Sequence, residues 1–288
     1  MRIGCIDIGG TAIKSGILEN GVLTGGAAQP TNAAAGGEAV LQQAAALAAA
    51  MPGIQRLGVG TCGEVDTKAG VIRLADNIPG YTGLPVRRIL EQLTGLPVTV
   101  ENDANAAAVG EAQFGAGQGL NDFLFVCYGT GVGGAILMDG KLYRGGSFSA
   151  GEFGGLITHS SAMRPGQVGT GSYEKYASVT ALVNRAQAFD PALDNGRKIF
   201  ACLQNPEVNA LVQGWLAEVA AGLISLNHLF NPQAIVLGGG VMEQPWVLEQ
   251  LKAHCEPNTK QSFRGMQLRS ARLGNEAGLY GAGWLAQQ

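Results

Sequence analysis

The segment "VTVENDANAAAVGEA" sets four polar residues, Glu101, Asn102, Asp103 and Asn105, directly behind an apolar strand and at the mouth of an alanine-rich helix. The carboxyl end of a strand is where α/β sheets bind ligands. A lone Asp ahead of alanines would read as a helix cap. Four polar groups in five residues are more than a cap requires. A carboxylate in this place can take a proton from an attacking hydroxyl. Asp103 is therefore the candidate base, and Asn102 a candidate hydrogen-bond partner of the acceptor.

A second signal lies in "IDIGGTAIKSGIL", Ile6 to Leu18. Lys14-Ser15 follows glycines as in a P-loop, but Ile13 stands where that loop needs glycine. A dinucleotide fingerprint is excluded too, because the glycines are adjacent and β-branched residues follow them. Shifted by 119 residues, Gly10-Thr11 falls on Gly129-Thr130, Ile17-Leu18 on Ile136-Leu137, and Gly21 on Gly140. Both copies read strand, glycine–threonine turn, strand, then Asn-Gly or Asp-Gly, which argues for two duplicated domains. Two such hairpins facing each other would set Gly9, Gly10, Thr11 and Gly129, Thr130, Gly131 across one cleft. Backbone N–H groups and threonine hydroxyls there suit the phosphates of one nucleotide. Asp7 would hold the accompanying Mg²⁺, directly or through water. Either copy alone reads as an ordinary hairpin turn; the pair together with Asp7 favours phosphate.

Two further carboxylates, Glu152 in "SFSAGEFGGLITH" and Glu174 in "GSYEKYAS", would not be singled out on spacing alone. His159, His228 and His254 are isolated, and the five cysteines are scattered without a C-x-x-C, so no zinc site is expected. Dispersed cysteines in apolar strands fit a reduced, cytoplasmic setting. With a net charge of −3 and no basic block, a nucleic-acid partner is not expected. Nor is a membrane role, since no signal peptide precedes the first strand and no apolar run approaches the ~18 residues of a span.

The elements that must position these residues alternate between strand and helix, which makes the chain α/β. Strands are predicted at Ile3–Ile8, Ala12–Leu18, a third short one after the Asn20-Gly21 hairpin turn, Arg56–Val59, Val98–Val100, Phe123–Cys127, Gly133–Met138 and Ala234–Leu237. Helices are predicted at Ala39–Ala50, Val86–Leu93, Asp103–Phe114, Glu207–Leu229 and Glu276–Ala286. Glycine is 45 of 288 residues and clusters at the ends of apolar runs, as tight turns approaching a ligand require. "GAGQG", Gly115–Gly119, is the best boundary. It divides the chain into a smaller domain of residues 1–115 plus a terminal helix, 275–288, and a larger one of 116–274.

With these residues in place, the chain resembles the ROK family (repressors, open reading frames, sugar kinases) of the actin-like ATPase superfold, along nearly its whole length. "DIGGT" and "GTGVGGAI" resemble the two phosphate motifs, and "LGGG" (Gly238, Gly239, Gly240) the adenosine-side loop. "GVGTCGEVD" and "ADNIPGY" are similar to segments that put Gly63 and Asn77 near the sugar. "ENDANAAAVGE" resembles the catalytic segment, with Asp103 as base and Asn102 as sugar ligand; "GGSFSAGEFG" and "GSYEKYAS" imply Glu152 and Glu174 as further sugar ligands. The resemblance implies two duplicated actin-like ATPase (ribonuclease H-like) domains with an active-site cleft between them. It also implies ATP and Mg²⁺ as cofactors, a homodimer, and phosphorylation of a sugar's 6-hydroxyl. Where members continue "GEFG" with a sugar-touching, zinc-ligating histidine, this chain has Gly155, and Pro165, Gln167 and Ser172 replace three ligand cysteines. Zinc is therefore expected to be absent. Ala12 stands where many members carry lysine. Zinc-free members of this kind resemble β-glucoside kinases and N-acetylmannosamine kinases, which leaves the acceptor open among β-glucoside, glucose and N-acetylmannosamine. Repressor members carry a helix-turn-helix before the first phosphate motif, and a repressor role is not expected here. The rival expectations are a non-catalytic sugar sensor that kept the fold and a plain actin-like ATPase.

Overall fold

Strand β1 (Arg2–Ile8) turns at the first glycines into β2 (Ala12–Glu19), and Asn20-Gly21 turns β2 into β3 (Val22–Pro30). Asn20 and Gly21 both have positive φ, 51° and 80°. That is the backbone a two-residue hairpin turn of matching twist demands. In this computed structural model, which describes residues 1–288, the chain continues through α1 (Gly37–Ala49), β4 (Arg56–Thr61), the short hairpin β5 (Glu64–Asp66) and β6 (Val71–Leu74), α2 (Val86–Thr94), β7 (Val98–Asn102) and α3 (Asp103–Phe114). The sheet order is β3-β2-β1-β4-β7, with β1, β4 and β7 parallel.

The second sheet repeats this plan. β8 (Phe123–Tyr128), β9 (Val132–Met138) and β10 (Lys141–Tyr143) form the meander, and Asp139-Gly140 turns with φ of 51° and 70°. Four helices follow: α4 (Glu174–Ala177), α5 (Val179–Phe189), α6 (Gly196–Ala201) and α7 (Pro206–Phe230). β11 (Ala234–Gly238), α8 (Pro245–Cys255), β12 (Gln267–Ser270) and α9 (Ala277–Leu285) complete the chain. The order β10-β9-β8-β11-β12 is that of the first sheet, strand for strand. The repeat spaced by 119 residues in the sequence is thus a repeat of topology.

The chain groups into two units, one of Met1–Gly119, Lys141–Ala150 and Asn275–Gln288, the other of Leu120–Gly140 and Gly151–Gly274. The stretch Lys141–Ala150 grouping with the first unit has no counterpart in the sequence-based division. In the first unit, one sheet face packs Ile6, Ile8, Ile13, Val59 and Val100 against Val40, Leu41 and Ala44 of α1 and Leu90 of α2. α3 and α9 pack together through glycine: a Cβ on Gly281 would overlap the Ala106 carbonyl, and one on Gly110 the Ala277 carbonyl.

α7 is capped by Asn205, starts on Pro206 and ends on Asn231 in the left-handed conformation. It is 25 residues long and its mean hydropathy reaches 1.3 over an 18-residue window, enough by length and composition alone to cross a membrane, although polar residues such as Gln213 and Glu218 keep it from being an unbroken apolar run. Trp215, Leu216, Val219, Leu223 and Leu226 of this helix are fully buried, as in a core helix. β5, β6, β10, β12, α4, α5, α6 and α8 have no counterpart among the elements predicted from sequence.

Candidate active site

In the first unit the parallel strands β1, β4 and β7 end side by side, with Ile8 paired to Thr61 and Thr61 to Asn102. The candidates collect at these carboxyl ends. A Cβ added to Gly60 would lie 3.7 Å from Asp7 Oδ1 and 3.8 Å from the Asp103 Cα, so the two aspartates flank one glycine. One on Gly10 would stand 3.2 Å from Asn77 Cβ, which brings the first glycine turn against Asn77. That turn is closed by the Gly9 N–H donating to Ala12 O at 3.0 Å and is braced by the Thr31 hydroxyl donating to Gly9 O at 2.6 Å. Burial pushes the Cys62 thiol up to about 11, and the charges of Asp103 and then Asp7 push the same way, as expected of a thiol lying near both aspartates.

The helix cap is Asn102, not Asp103: its Oδ1 accepts the Asn105 N–H at 3.0 Å. Its Nδ2 donates to Gly63 O and to Asp103 Oδ1, each at 3.0 Å. Both amide hydrogens are engaged, which leaves Asn102 one acceptor position for a ligand. Gly63 has φ of 93°, and a Cβ there would stand 2.6 Å from Leu74 O, so only glycine can present this carbonyl. Asp103 Oδ1 also accepts the Ala104 N–H at 2.8 Å. Beneath the β4 end, Thr61 and Tyr81 share a buried hydrogen bond of 2.9 Å.

Three charged residues of this region escaped the sequence reading as site residues. Lys14 Nζ lies 3.1 Å from Asp7 Oδ2. Ala12 and Lys14 are two apart on β2 and so share a face. Glu101 is buried, and its Oε2 accepts from Arg144 Nε at 2.8 Å and Nη2 at 2.6 Å.

In the second unit, Gly129 N–H donates to Gly131 O at 3.0 Å, closing the second turn, and Val179 N–H donates to Gly129 O at 3.0 Å. Gly239, with φ of 100°, runs so close to the Tyr128 carbonyl that a Cβ would overlap it, so the third glycine loop meets the second turn. A Cβ on Gly131 would lie 2.8 Å from Glu174 Oε2, and one on Gly154 3.2 Å from the same oxygen. Glu152 opens the short 3₁₀ turn Phe153–Gly155 and is exposed. Thus the turn Gly129–Gly131 meets the Gly239 loop on one side and Glu174 on the other, and Glu152 lies two residues before the Gly154 that packs on Glu174. Behind Glu174, the Tyr173 hydroxyl is 2.7 Å from that of Tyr128 and donates to Val219 O at 2.7 Å.

A magnesium ion needs oxygen donors with space for water and phosphate. Asp7 offers a half-buried carboxylate whose neighbours Gly60 and Gly278 add no side-chain bulk, which fits such an ion. No group of three or more His, Cys, Asp or Glu converges as metal ligands.

Residues 3–288 match the model of the ROK family, and the chain belongs to that family. A β-glucoside kinase of Listeria monocytogenes is 35% identical over 293 residues, covering 98% of this chain and 96% of the relative. The ROK hexokinase of Thermus thermophilus has a TM-score of 0.86 at 36% identity, over 100% of this chain and 98% of that one. A ROK glucokinase of Streptomyces griseus, solved with glucose and AMPPNP, has a TM-score of 0.88 at 33% identity over 100% of both chains. The fold is the duplicated α/β fold of the actin-like ATPases.

Proposed function

We propose that this chain is an ATP-dependent hexose kinase that phosphorylates the 6-hydroxyl of a sugar, with β-glucosides as its acceptor class. The observation that carries the reading is the pair of aspartates flanking Gly60, one at the end of β1 beside Lys14 and one at a helix mouth beside Asn102. A protein that only binds sugar has no need of a base. The acceptor oxygen attacks the γ-phosphorus, its proton passes to Asp103, and the bond to the β-phosphate oxygen breaks, releasing ADP. Asn102 Nδ2 orients the Asp103 carboxylate for that transfer. Backbone N–H groups of the glycine turns donate to phosphate oxygens and stabilise charge on the transferred group. Bound at Asp7, Mg²⁺ would neutralise phosphate charge. In the first unit Asn77 and Gly63 are the further sugar contacts, and in the second Glu152 and Glu174 are the carboxylates that accept hydrogen bonds from sugar hydroxyls.

A Cβ added at Gly155 would meet nothing within 4 Å. The room that a histidine side chain takes in other members is open here, which suits the aglycone of a β-glucoside. The kinases of 35% identity named for β-glucosides support the same class. The reading includes Mg²⁺ as the metal, no zinc, a cytoplasmic setting and a homodimer.

An ADP-release assay over glucose, cellobiose, methyl β-glucoside and N-acetylmannosamine tests it. Turnover should be highest with a β-glucoside, and Asp103→Ala should lower kcat by about 10²-fold or more while AMPPNP still binds. Sugar binding without turnover on any acceptor would make the protein a sensor. A preference for free glucose would overturn the β-glucoside assignment alone.

A further inference from the structure

We infer that Glu101 and Arg144 are positioning residues, whose ion pair fixes the loop Arg144–Ala150 to the strand end that carries Asn102 and Asp103. The catalytic part of this inference rests on the kinase reading above.

All four contacts on the Glu101 carboxylate are donors. Oε1 accepts the Asn102 N–H and Asn105 Nδ2, each at 3.0 Å, and Oε2 accepts both Arg144 nitrogens. The Glu101 side chain is only 3% exposed. One buried carboxylate therefore sets the backbone entering Asn102, the first turn of α3, and the start of the loop. The loop is held at two further points: Ser149 Oγ donates to Glu64 Oε2 at 2.7 Å, and Arg73 Nη1 donates to Ser147 O at 3.1 Å. Ala150 N–H closes it on Arg144 O at 3.2 Å, and Phe148, not a glycine, is kept at φ of 64°. A non-glycine residue stays in that region only where its surroundings over-determine it. From Ala150 the chain runs straight on into Gly151 and Glu152.

Net stability does not explain such a pair, because replacing a buried ion pair by apolar residues is often neutral or stabilising. What a guanidinium supplies is a planar, pre-organised fork and hence a fixed position. A buried charge linking the base-bearing strand end to the loop before an acceptor carboxylate is placed to make acceptor order and base order one event.

Glu101→Gln keeps the Oε1 contacts and removes the charge facing Arg144; Arg144→Met removes the fork, and Arg144→Lys keeps a point charge. With a β-glucoside as acceptor, Glu101→Gln and Arg144→Met should lower kcat about tenfold to a hundredfold and raise the sugar KM, with the MgATP KM within about twofold. Arg144→Lys should recover part of the loss, and the double variant should be no worse than the worse single one. A purely structural role would lower the melting temperature and leave kcat and sugar KM intact well below it; that result overturns the inference. Hydrogen exchange supplies a readout free of activity. In Arg144→Met, both the Arg144–Ala150 loop and residues 102–107 should exchange faster, with α7 unchanged. Should the wild type phosphorylate no sugar, the kinase reading falls. The exchange result then decides the tie alone: unchanged protection at either segment ends it.

Discussion

The Lys14 ammonium lies 3.1 Å from Asp7 Oδ2, so the carboxylate at the end of β1 has a cation fixed beside it. Asp7 is the more enclosed partner, with 13% of its side chain exposed against 32% for Lys14. A cation beside the carboxylate proposed to hold Mg²⁺ can contribute to holding a polyphosphate as well. Lys14→Met should raise the MgATP KM by about tenfold, the loss of one charge-assisted hydrogen bond of roughly 1.5 kcal/mol, with the sugar KM nearly unchanged. Initial rates against MgATP at saturating sugar check this. An unaltered MgATP KM would remove Lys14 from the nucleotide side.

Asn102 uses one amide for three tasks, capping α3, holding Gly63 O and orienting Asp103. Asn102→Ala loses all three. Loss of the cap alone should cost about 1 kcal/mol of stability, read as a lower urea midpoint. Turnover should fall further than sugar affinity, because the proposed base Asp103 loses the amide that orients it while the other proposed sugar ligands remain. Asn102→Asp keeps the capping oxygen and should recover the midpoint but not kcat, since it brings a second negative charge against Asp103. If sugar affinity falls as far as kcat, Asn102 acts chiefly as a sugar ligand.

Most of the fold was legible because its signals are local. Alternation and turn chemistry placed β1, β2, β8 and β9, and the Asn-Gly and Asp-Gly turns found in sequence have the positive φ values those residues tolerate. The repeat became visible because both hairpins need the same turn residues. Asp103 stood out because a cluster of polar residues after an apolar strand is unusual. Glu101 appeared in that cluster without a role, since its partner Arg144 is 43 residues away and no local pattern pairs them. Lys14 carries no usable sequence signal because the loop rule it half-matches belongs to another fold. β5, β6 and β12 have only three or four residues each, too few for period-two alternation to register.

The contact of α3 with α9 depends on Gly110 and Gly281, where a side chain would collide with carbonyl oxygens of the partner helix. Backbone cannot yield as a flexible side chain does. Gly281→Ala should therefore destabilise the protein by about 1–3 kcal/mol, although alanine is the better helix former. A Cβ on Gly278 would lie 3.2 Å from Asp7 Cγ. Displacing α9 should thus also weaken MgATP binding. Thermal unfolding with and without AMPPNP checks both effects; a Gly281→Ala variant as stable as the wild type would show that the helices re-pack freely.

Three buried thiols give the molecule an alkaline limit. Burial pushes Cys5 and Cys255 up to about 12 and Cys62 up to about 11, from 9.0 for a free thiol. Burial raises Tyr81 and Tyr128 as well. In the unfolded chain these thiols ionise near 9; in the folded one they stay protonated until about 11 or 12. Raised folded values mean that the stabilisation is complete below pH 9 and is lost as pH climbs through the folded values. Each thiol adds a slope of up to about 1.4 kcal/mol per pH unit over that window. Urea midpoints should be flat from pH 7 to 8.5 and fall steadily above 9. Cys62→Ala, measured against its own stability at pH 7.5, should show a shallower fall between pH 9 and 11. At pH 8 a thiol reagent should label the exposed Cys202 well before the buried three. Equal labelling of all five cysteines in the folded protein, or a midpoint independent of pH up to 11, would contradict this account of the core.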